Sequence, residues 1–235
     1  MKLITEFPIA YDSPDHLIPH GTKNDNYTNE DFINEVHEYF KLNHELDKIK
    51  FMDLGCSGGQ LAVDFHERGN ISIGLEGSDY SLKHERANWP KYYEKVLFTC
   101  DITKPYKIVN EDQSGNIDKE VKFNCITAWE VIEHIKPTDL NAVFKNINDN
   151  LEKDGIFVGS IAQFSDIQQG VPLHQSVYSE ATWYHNFNLI LEGTDLVLYQ
   201  YPFQNKVRED KGSFYICLIK EGNVNRKKVN WKYTW

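Results

Sequence analysis

The sequence predicts an α/β fold, a mainly parallel sheet covered by helices on both faces and closed at one edge by antiparallel strands. Three observations carry that expectation. Short apolar runs of strand length alternate with segments of helical period between Lys50 and Ile161. Two further β-like runs, Leu196–Tyr199 and Phe214–Ile219, are not clearly separated by a long helix, which suggests a hairpin at an edge. The chain has 235 residues, 40% hydrophobic and 26% charged, enough for one large domain and a small appended element.

Residues 1–28 carry Pro8, Pro14, Pro19 and the polar stretch GTKNDN, and read as an irregular arm. A helix is expected from about Asn29 to Asp47, with Thr28 or Asn29 as its cap and Phe32, Val36, Tyr39 and Phe40 on one face. Lys50–Leu54 is the first strand, and Gln60–Glu67 a helix stopped by Gly69-Asn70. Ile71–Glu76 is the second strand, followed by a helix at Ser81–Ala87; Val96–Cys100 is the third. Residues 103–121 are polar, with Ser114-Gly115-Asn116 at their tip, and read as a surface excursion. Phe123–Ala128 is the fourth strand. Pro137 opens a helix to about Leu151, stopped by Lys153-Asp154-Gly155, and Ile156–Ile161 is the fifth strand. The expected division is an arm and helix over 1–47, able to act as a lid, a main domain over 48–220 and a tail over 221–235.

Composition narrows the partners. The formal net charge is −10, and the only basic cluster is Arg226-Lys227-Lys228, which disfavours a nucleic-acid partner. Cys56, Cys100, Cys125 and Cys217 form no C-x-x-C pair, and no 18-residue apolar run occurs. A soluble, cytoplasmic protein that does not enter membranes is expected.

Chemistry first shows in FMDLGCSGGQ, Phe51 to Gln60. An apolar run ends in an acid, then a glycine-rich turn leads into a helix, but the spacing is not the G-x-G-x-x-G of a dinucleotide site. In an open α/β sheet, ligands bind beyond the carboxyl ends of the strands. Asp53, Glu76, Asp101 and Trp129-Glu130 stand at those ends. A carboxylate after the second strand can accept both ribose hydroxyls, and one after the third can accept the adenine amino group, with the Ile102 N–H meeting a ring nitrogen. The pattern fits an adenosine compound with an amino-acid-like tail.

The succession DLGCSGG, GLEGSDYS, FTCDIT, FNCITAWEVIEHI and LEKDGIFVGSI resembles the class I S-adenosylmethionine-dependent methyltransferases over roughly residues 48–165. The resemblance implies a Rossmann-like, seven-stranded sheet with a reversed edge strand, and S-adenosylmethionine as cofactor with S-adenosylhomocysteine as product. It implies that Asp53, Gly55, Cys56, Ser57 and Gly59 cradle the methionine portion. Glu76 and Gly77 would hold the ribose, Asp101 and Ile102 the adenine, and Trp129 would complete the cofactor site. The family most often writes D-x-G-x-G-x-G, and Ser57 stands here in place of the middle glycine.

The acceptor site must come from the crevice rim. Glu130, Glu133 and His134 lie three and four apart, so one helical turn would point them the same way. His174 follows the fifth strand, with Tyr178 and Trp183 as apolar walls, and the arm residues Tyr11, His16, His20 and Thr22 can fold over the site. Glu130, His134 and His174 are the catalytic candidates, and Tyr11, His20 and Tyr178 the acceptor-binding ones. A histidine could serve as general base. The run could instead shape the acceptor pocket, or Glu130, Glu133, His134 and His174 could bind a divalent cation, as in similar runs of quinone-biosynthesis and small-RNA methyltransferases; no metal is the primary expectation. The function expected is methyl transfer to O or N of a small polar acceptor (a sugar, a nucleotide-linked sugar, a phosphorylated or specialised metabolite), in surface-glycan biosynthesis. The alternatives are a metal-dependent RNA 2′-O-methyltransferase and a non-catalytic cofactor-binding partner protein. A nicotinamide-dependent dehydrogenase would want glycine at Ser57.

Overall fold

The computed structural model describes residues 1–20, 27–112, 116–208 and 212–221. The GTKNDN stretch with Thr22, the tip residues Ser114-Gly115, the basic run 226–228 and the tail beyond Glu221 lie outside the described residues.

The arm is more ordered than its prolines suggested. It begins with a strand, β1 (Lys2–Thr5), and carries a short helix, α1 (Pro14–Leu17), whose first turn uses Pro14 and is capped by the Ser13 side chain. Helix α2 (Glu30–His44) starts where Asn29 Oδ1 accepts the Phe32 N–H at 3.0 Å, and it buries Phe32, Ile33, Val36 and Phe40. Glu30 and Asp31 in its first turn and Lys41 and His44 in its last complement the helix dipole.

The alternating part follows as β2 (Lys50–Leu54), α3 (Gln60–Glu67) and β3 (Ile71–Glu76). Two single-turn helices, α4 (Tyr80–Lys83) and α5 (Trp89–Tyr92), replace the expected helix at 81–87, and then comes β4 (Leu97–Thr99). The excursion at 103–121 contains β5 (Tyr106–Glu111) and β6 (Ile117–Glu120). These pair antiparallel in the order β1-β5-β6, so the arm and the excursion form one small sheet. Then β7 (Phe123–Trp129), α6 (Leu140–Asn150) and β8 (Leu151–Ala162) follow. The expected stop at Lys153-Asp154-Gly155 is a bulge in β8: Phe123 pairs with Leu151 but Cys125 with Ile156, and Asp154 has φ 63°.

A two-residue hairpin, β9 (Ile167–Gln168) with β10 (Val171–Pro172), leads to α7 (Glu180–Ile190), which had no counterpart in the sequence reading. Strands β11 (Leu196–Tyr199) and β12 (Ser213–Lys220) complete the chain.

The main sheet has seven strands in the order β11-β12-β8-β7-β2-β3-β4. The ladders from β8 to β4 are parallel; β12 runs antiparallel to both its neighbours, with β11 outermost. This is the Rossmann-like arrangement. Period-two alternation sends Met52 and Leu54 of β2 to one apolar layer, with Phe144 and Trp183, and Phe51 to the other, with Phe32 and Phe65. Gly159 permits the close approach of β7 and β8: a Cβ there would lie 2.1 Å from the Ala128 carbonyl oxygen. Among the described residues, no helix is long and apolar enough to cross a membrane.

Candidate active site

Strands β3 and β4 lie on one side of β2, and β7 and β8 on the other, so the strand order reverses beside β2. A crevice is expected at such a point, outside the carboxyl ends. A cavity of about 410 Å³ opens there, walled by residues at the ends of β2, β3, β4 and β7, by the arm, and by the segment after β8.

The turn after β2 is built by backbone conformation. Gly55 (φ 68°), Ser57 (φ 50°) and Gly59 (φ 84°) all occupy the left-handed region. For glycine that is free of steric cost, whereas for serine it costs on the order of 1–2 kcal/mol. The turn is tied to β3: the N–H groups of Gly55 and Cys56 donate to the Leu75 carbonyl at 2.8 and 3.0 Å. Ser57 N–H donates to Glu76 Oε2 at 2.8 Å, and Ser78 N–H to Oε1 at 3.1 Å. Glu76 therefore braces the turn with one oxygen and its own strand end with the other. Burial raises its pKa, and the N–H bonds offset part of that shift.

Beyond β4, Asp101 Oδ1 accepts the Thr103 N–H at 2.9 Å and the Thr103 hydroxyl at 2.6 Å. Both bonds fall on Oδ1, which leaves Oδ2 for a ligand. At the end of β7, Trp129 packs edge-on against Phe32. Glu130 has φ 55°, and its Oε2 accepts the Ser213 hydroxyl at 2.9 Å. Trp129 Nε1 and Glu130 Oε1 are buried without a hydrogen-bond partner among the described residues. Two orphaned polar atoms in the wall are what a polar ligand would satisfy.

The other half of the cavity is built around two imidazoles. His134, in a helical turn over Ile132–His134, and His174, after β10, meet edge-to-face with ring centroids 4.6 Å apart. His134 Nδ1 lies 2.8 Å from Asp15 Oδ2 of the arm, and His174 Nδ1 faces the Phe164 carbonyl. Burial works against protonation of His134, but the hydrogen bond to Asp15 and its charge overcome this and raise the pKa. Burial lowers that of His174.

The structure separates the expected site residues into two groups. Gly55, Ser57, Glu76, Gly77, Asp101, Ile102, Trp129, Glu130, His134, His174 and His20 line the cavity. Asp53, Cys56 and Gly59 are not in its wall. Asp53 instead accepts the hydroxyl of Thr127, its register partner on β7, at 2.6 Å, and burial pushes its pKa up to about 7. Tyr11 is exposed and packs edge-on against His16, and Tyr178 packs edge-on against the buried Trp183, so both stand apart from the wall. Trp183 belongs to the core, where α7 places it.

Glu133 turns inward from the same helical turn, so the run does not present all its acids to the cavity. It is fully buried, its Oε1 accepts the Ala162 N–H at 3.1 Å, and burial pushes its pKa to about 8. Even so, donor atoms of Glu133, His134 and His174 lie within 4.8 Å of one another; Glu130 is outside that group. Sequence reasoning missed Asp15, which no local signal linked to His134, and Lys104 and Lys136 in the cavity wall.

Comparison with known proteins agrees with this geometry. A family model described as a methyltransferase domain matches residues 24–201. The chain belongs to this family of S-adenosylmethionine-dependent methyltransferases. The ubiquinone biosynthesis O-methyltransferase of Pelagibacter ubique is 25% identical over 111 residues, 47% of this chain and 41% of that protein. Its counterpart in Glaesserella parasuis is 22% identical over 193 residues, 78% of this chain and 76% of that protein. The chain thus spans less than half of the Pelagibacter relative. An S-adenosylmethionine-dependent methyltransferase from Clostridium acetobutylicum shares the fold with a TM-score of 0.55 at 14% identity, covering 88% of this chain and 96% of that one. The methyltransferase cofactor is S-adenosylmethionine. The cavity fits it through a buried acceptor at Glu76, an open oxygen at Asp101, a backbone-walled turn and two orphaned polar atoms.

Proposed function

We propose that this methyltransferase methylates a hydroxyl oxygen of a small anionic acceptor, a phosphorylated or nucleotide-linked sugar being the best match. The observation that carries the reading is the pair of imidazoles, His134 and His174, in the same cavity as the cofactor-facing residues Glu76 and Asp101. Lys104 and Lys136 stand in that wall, and neither forms an ion pair among the described residues. They suit a phosphate or carboxylate on the acceptor. Val131, Ile135 and Phe164 supply apolar wall for a sugar ring. The names of the quinone-pathway relatives, O-methyltransferases, point to oxygen as the acceptor atom.

S-adenosylmethionine, when bound, supplies an electrophilic methyl group on a sulfonium. A hydroxyl that gains a methyl cation must lose a proton, and His134 Nε2 takes it in this reading. Asp15 beside Nδ1 stabilises the imidazolium that results. His174, held neutral by burial and anchored through Nδ1, orients the hydroxyl. Gly55 and Ser57 hold the backbone wall, Glu76 and Asp101 accept hydrogen bonds, and the arm limits the access of water.

A second reading is favoured by Glu133 Oε2, which is buried and unpartnered, near two imidazoles whose Nδ1 atoms are already engaged. Glu133, His134 and His174 would then hold a divalent cation that orients the hydroxyl. The test is a screen of methyl transfer from labelled cofactor to sugar phosphates and nucleotide sugars, with and without chelator. His134→Ala should lower kcat by on the order of 100-fold or more, and His174→Ala should act chiefly on KM. Undiminished turnover by His134→Ala removes the base role. Loss of activity on chelation, restored by one added cation, selects the second reading.

A further inference from the structure

The arm crosses the carboxyl ends of the strands that wall the cofactor half of the cavity. Asp101 N–H donates to the Phe7 carbonyl at 2.9 Å, and Ala10 N–H donates to the Gly77 carbonyl at 2.9 Å. Ala10 also stands against Gly77: a Cβ there would lie 3.3 Å from the alanine methyl. The arm then turns at Ser13 and places Asp15 on His134, a residue 119 positions further along the chain. His16, the next residue, comes within 4.0 Å of Asp79. One segment thus touches the ribose end, the adenine end and the acceptor end of the cavity.

We infer that Asp15 is a positioning residue for His134, and that closure of the arm over bound cofactor and orientation of His134 are one event, so that the cofactor binds before the acceptor is engaged. This rests on the reading of His134 as the group that engages the acceptor hydroxyl.

A neutral imidazole has two tautomers, and only the one protonated at Nδ1 leaves a lone pair on Nε2. A carboxylate can only accept, so Asp15 selects that tautomer and fixes the ring plane. Both side chains are about four-fifths buried, at 19% and 21% exposure, so water competes weakly for the pair. No other hydrogen bond holds the His134 ring among the described residues; the edge of the His174 ring packs against it. With the arm lifted, ring and tautomer are both unspecified. Lifting it leaves the main sheet intact, because β1 pairs with β5 and with no strand of the seven. A purely structural ion pair would do as well anywhere on the arm. This one is in the cavity wall, on the residue that faces the acceptor.

The experiment uses the full chain with S-adenosylhomocysteine as the probe. In nitrogen-15 spectra of the histidines, His134 should become a single Nδ1-protonated tautomer when the probe binds. Amide exchange at residues 10 to 16 should slow in step with it. In Asp15→Asn the side-chain amide can donate to Nδ1, so the Nε2-protonated form should predominate, with probe affinity within about threefold of wild type. Turnover with whichever sugar phosphate or nucleotide sugar is methylated in the screen should then fall by on the order of 10²- to 10⁴-fold. Asp15→Ala should be equally slow, and formate should restore part of its rate. An unchanged tautomer in Asp15→Asn overturns the inference. So does a variant whose only defect is weakened binding of the probe, which would make the arm a cover and nothing more. If Asp15→Asn turns over normally while His134→Ala is impaired, the inference fails and the base reading stands. If His134→Ala is itself normal, it is the proposed function that fails.

Discussion

Replacing Glu76 with alanine tests how the cofactor turn is held. The carboxylate accepts two backbone N–H groups, from Ser57 at 2.8 Å and Ser78 at 3.1 Å, in surroundings that leave it 8% exposed. The variant leaves both donors without that acceptor. Each buried donor so orphaned costs about 1–3 kcal/mol, and the lower end applies here because water in the adjoining cavity can reach them. The expected loss is about 2 kcal/mol in the cofactor-free protein, which for a domain of this size lowers Tm by roughly 4–8 °C. Affinity for S-adenosylhomocysteine should fall as well, by on the order of tenfold or more, since the turn loses its brace and, if Glu76 holds the ribose as proposed, the ribose loses its acceptor. Differential scanning calorimetry without cofactor and isothermal titration with it separate the two effects. A cofactor-free Tm unchanged in Glu76→Ala would refute the bracing argument, whatever the affinity does.

Asp53→Asn should remove a pH dependence. The buried carboxyl has a pKa of about 7 in the fold against about 3.9 unfolded, so ionisation favours the unfolded chain and stability falls as pH rises between those values. The full cost is up to about 4 kcal/mol above pH 7, and the amide avoids it while still accepting from Thr127. Urea unfolding at pH 8 should show Asp53→Asn more stable than wild type, with the gap closing toward pH 4; an equal gap at both pH values would count against a raised pKa. Ser57→Gly should be tolerated. Relief of the left-handed strain at φ 50° is opposed by about 0.5–1 kcal/mol of added unfolded-state freedom, so Tm should hold or rise slightly. A tenfold loss of cofactor affinity in Ser57→Gly would instead assign binding to the hydroxyl.

The five parallel strands were legible because they are short apolar runs bounded by turn residues, and burial on both faces demands that composition. Glu76 and Asp101 were legible because acids at strand ends are out of place in such runs. The small sheet was not. Its strands β1, β5 and β6 mix polar and apolar residues, and β1 finds its partner about a hundred positions away, a pairing no local pattern encodes. Helix α7 went unread because its aromatic residues suggested a pocket wall, although Ser179 followed by Glu180 was an available start signal. Asp53 looked like a cofactor ligand by position, yet its partner is directly across the sheet. Asp15 had no signal at all: its meaning depends on the arm's path over the crevice.

The union of β1 with β5 and β6 bears on how such a chain could have been assembled over time. The excursion at 106–120 is the mooring of the arm, and the arm carries Asp15. A relative that lost the hairpin would leave its leader without a berth, and one that lost the leader would expose the hairpin's inner edge. Insertion and leader should therefore be gained or discarded together.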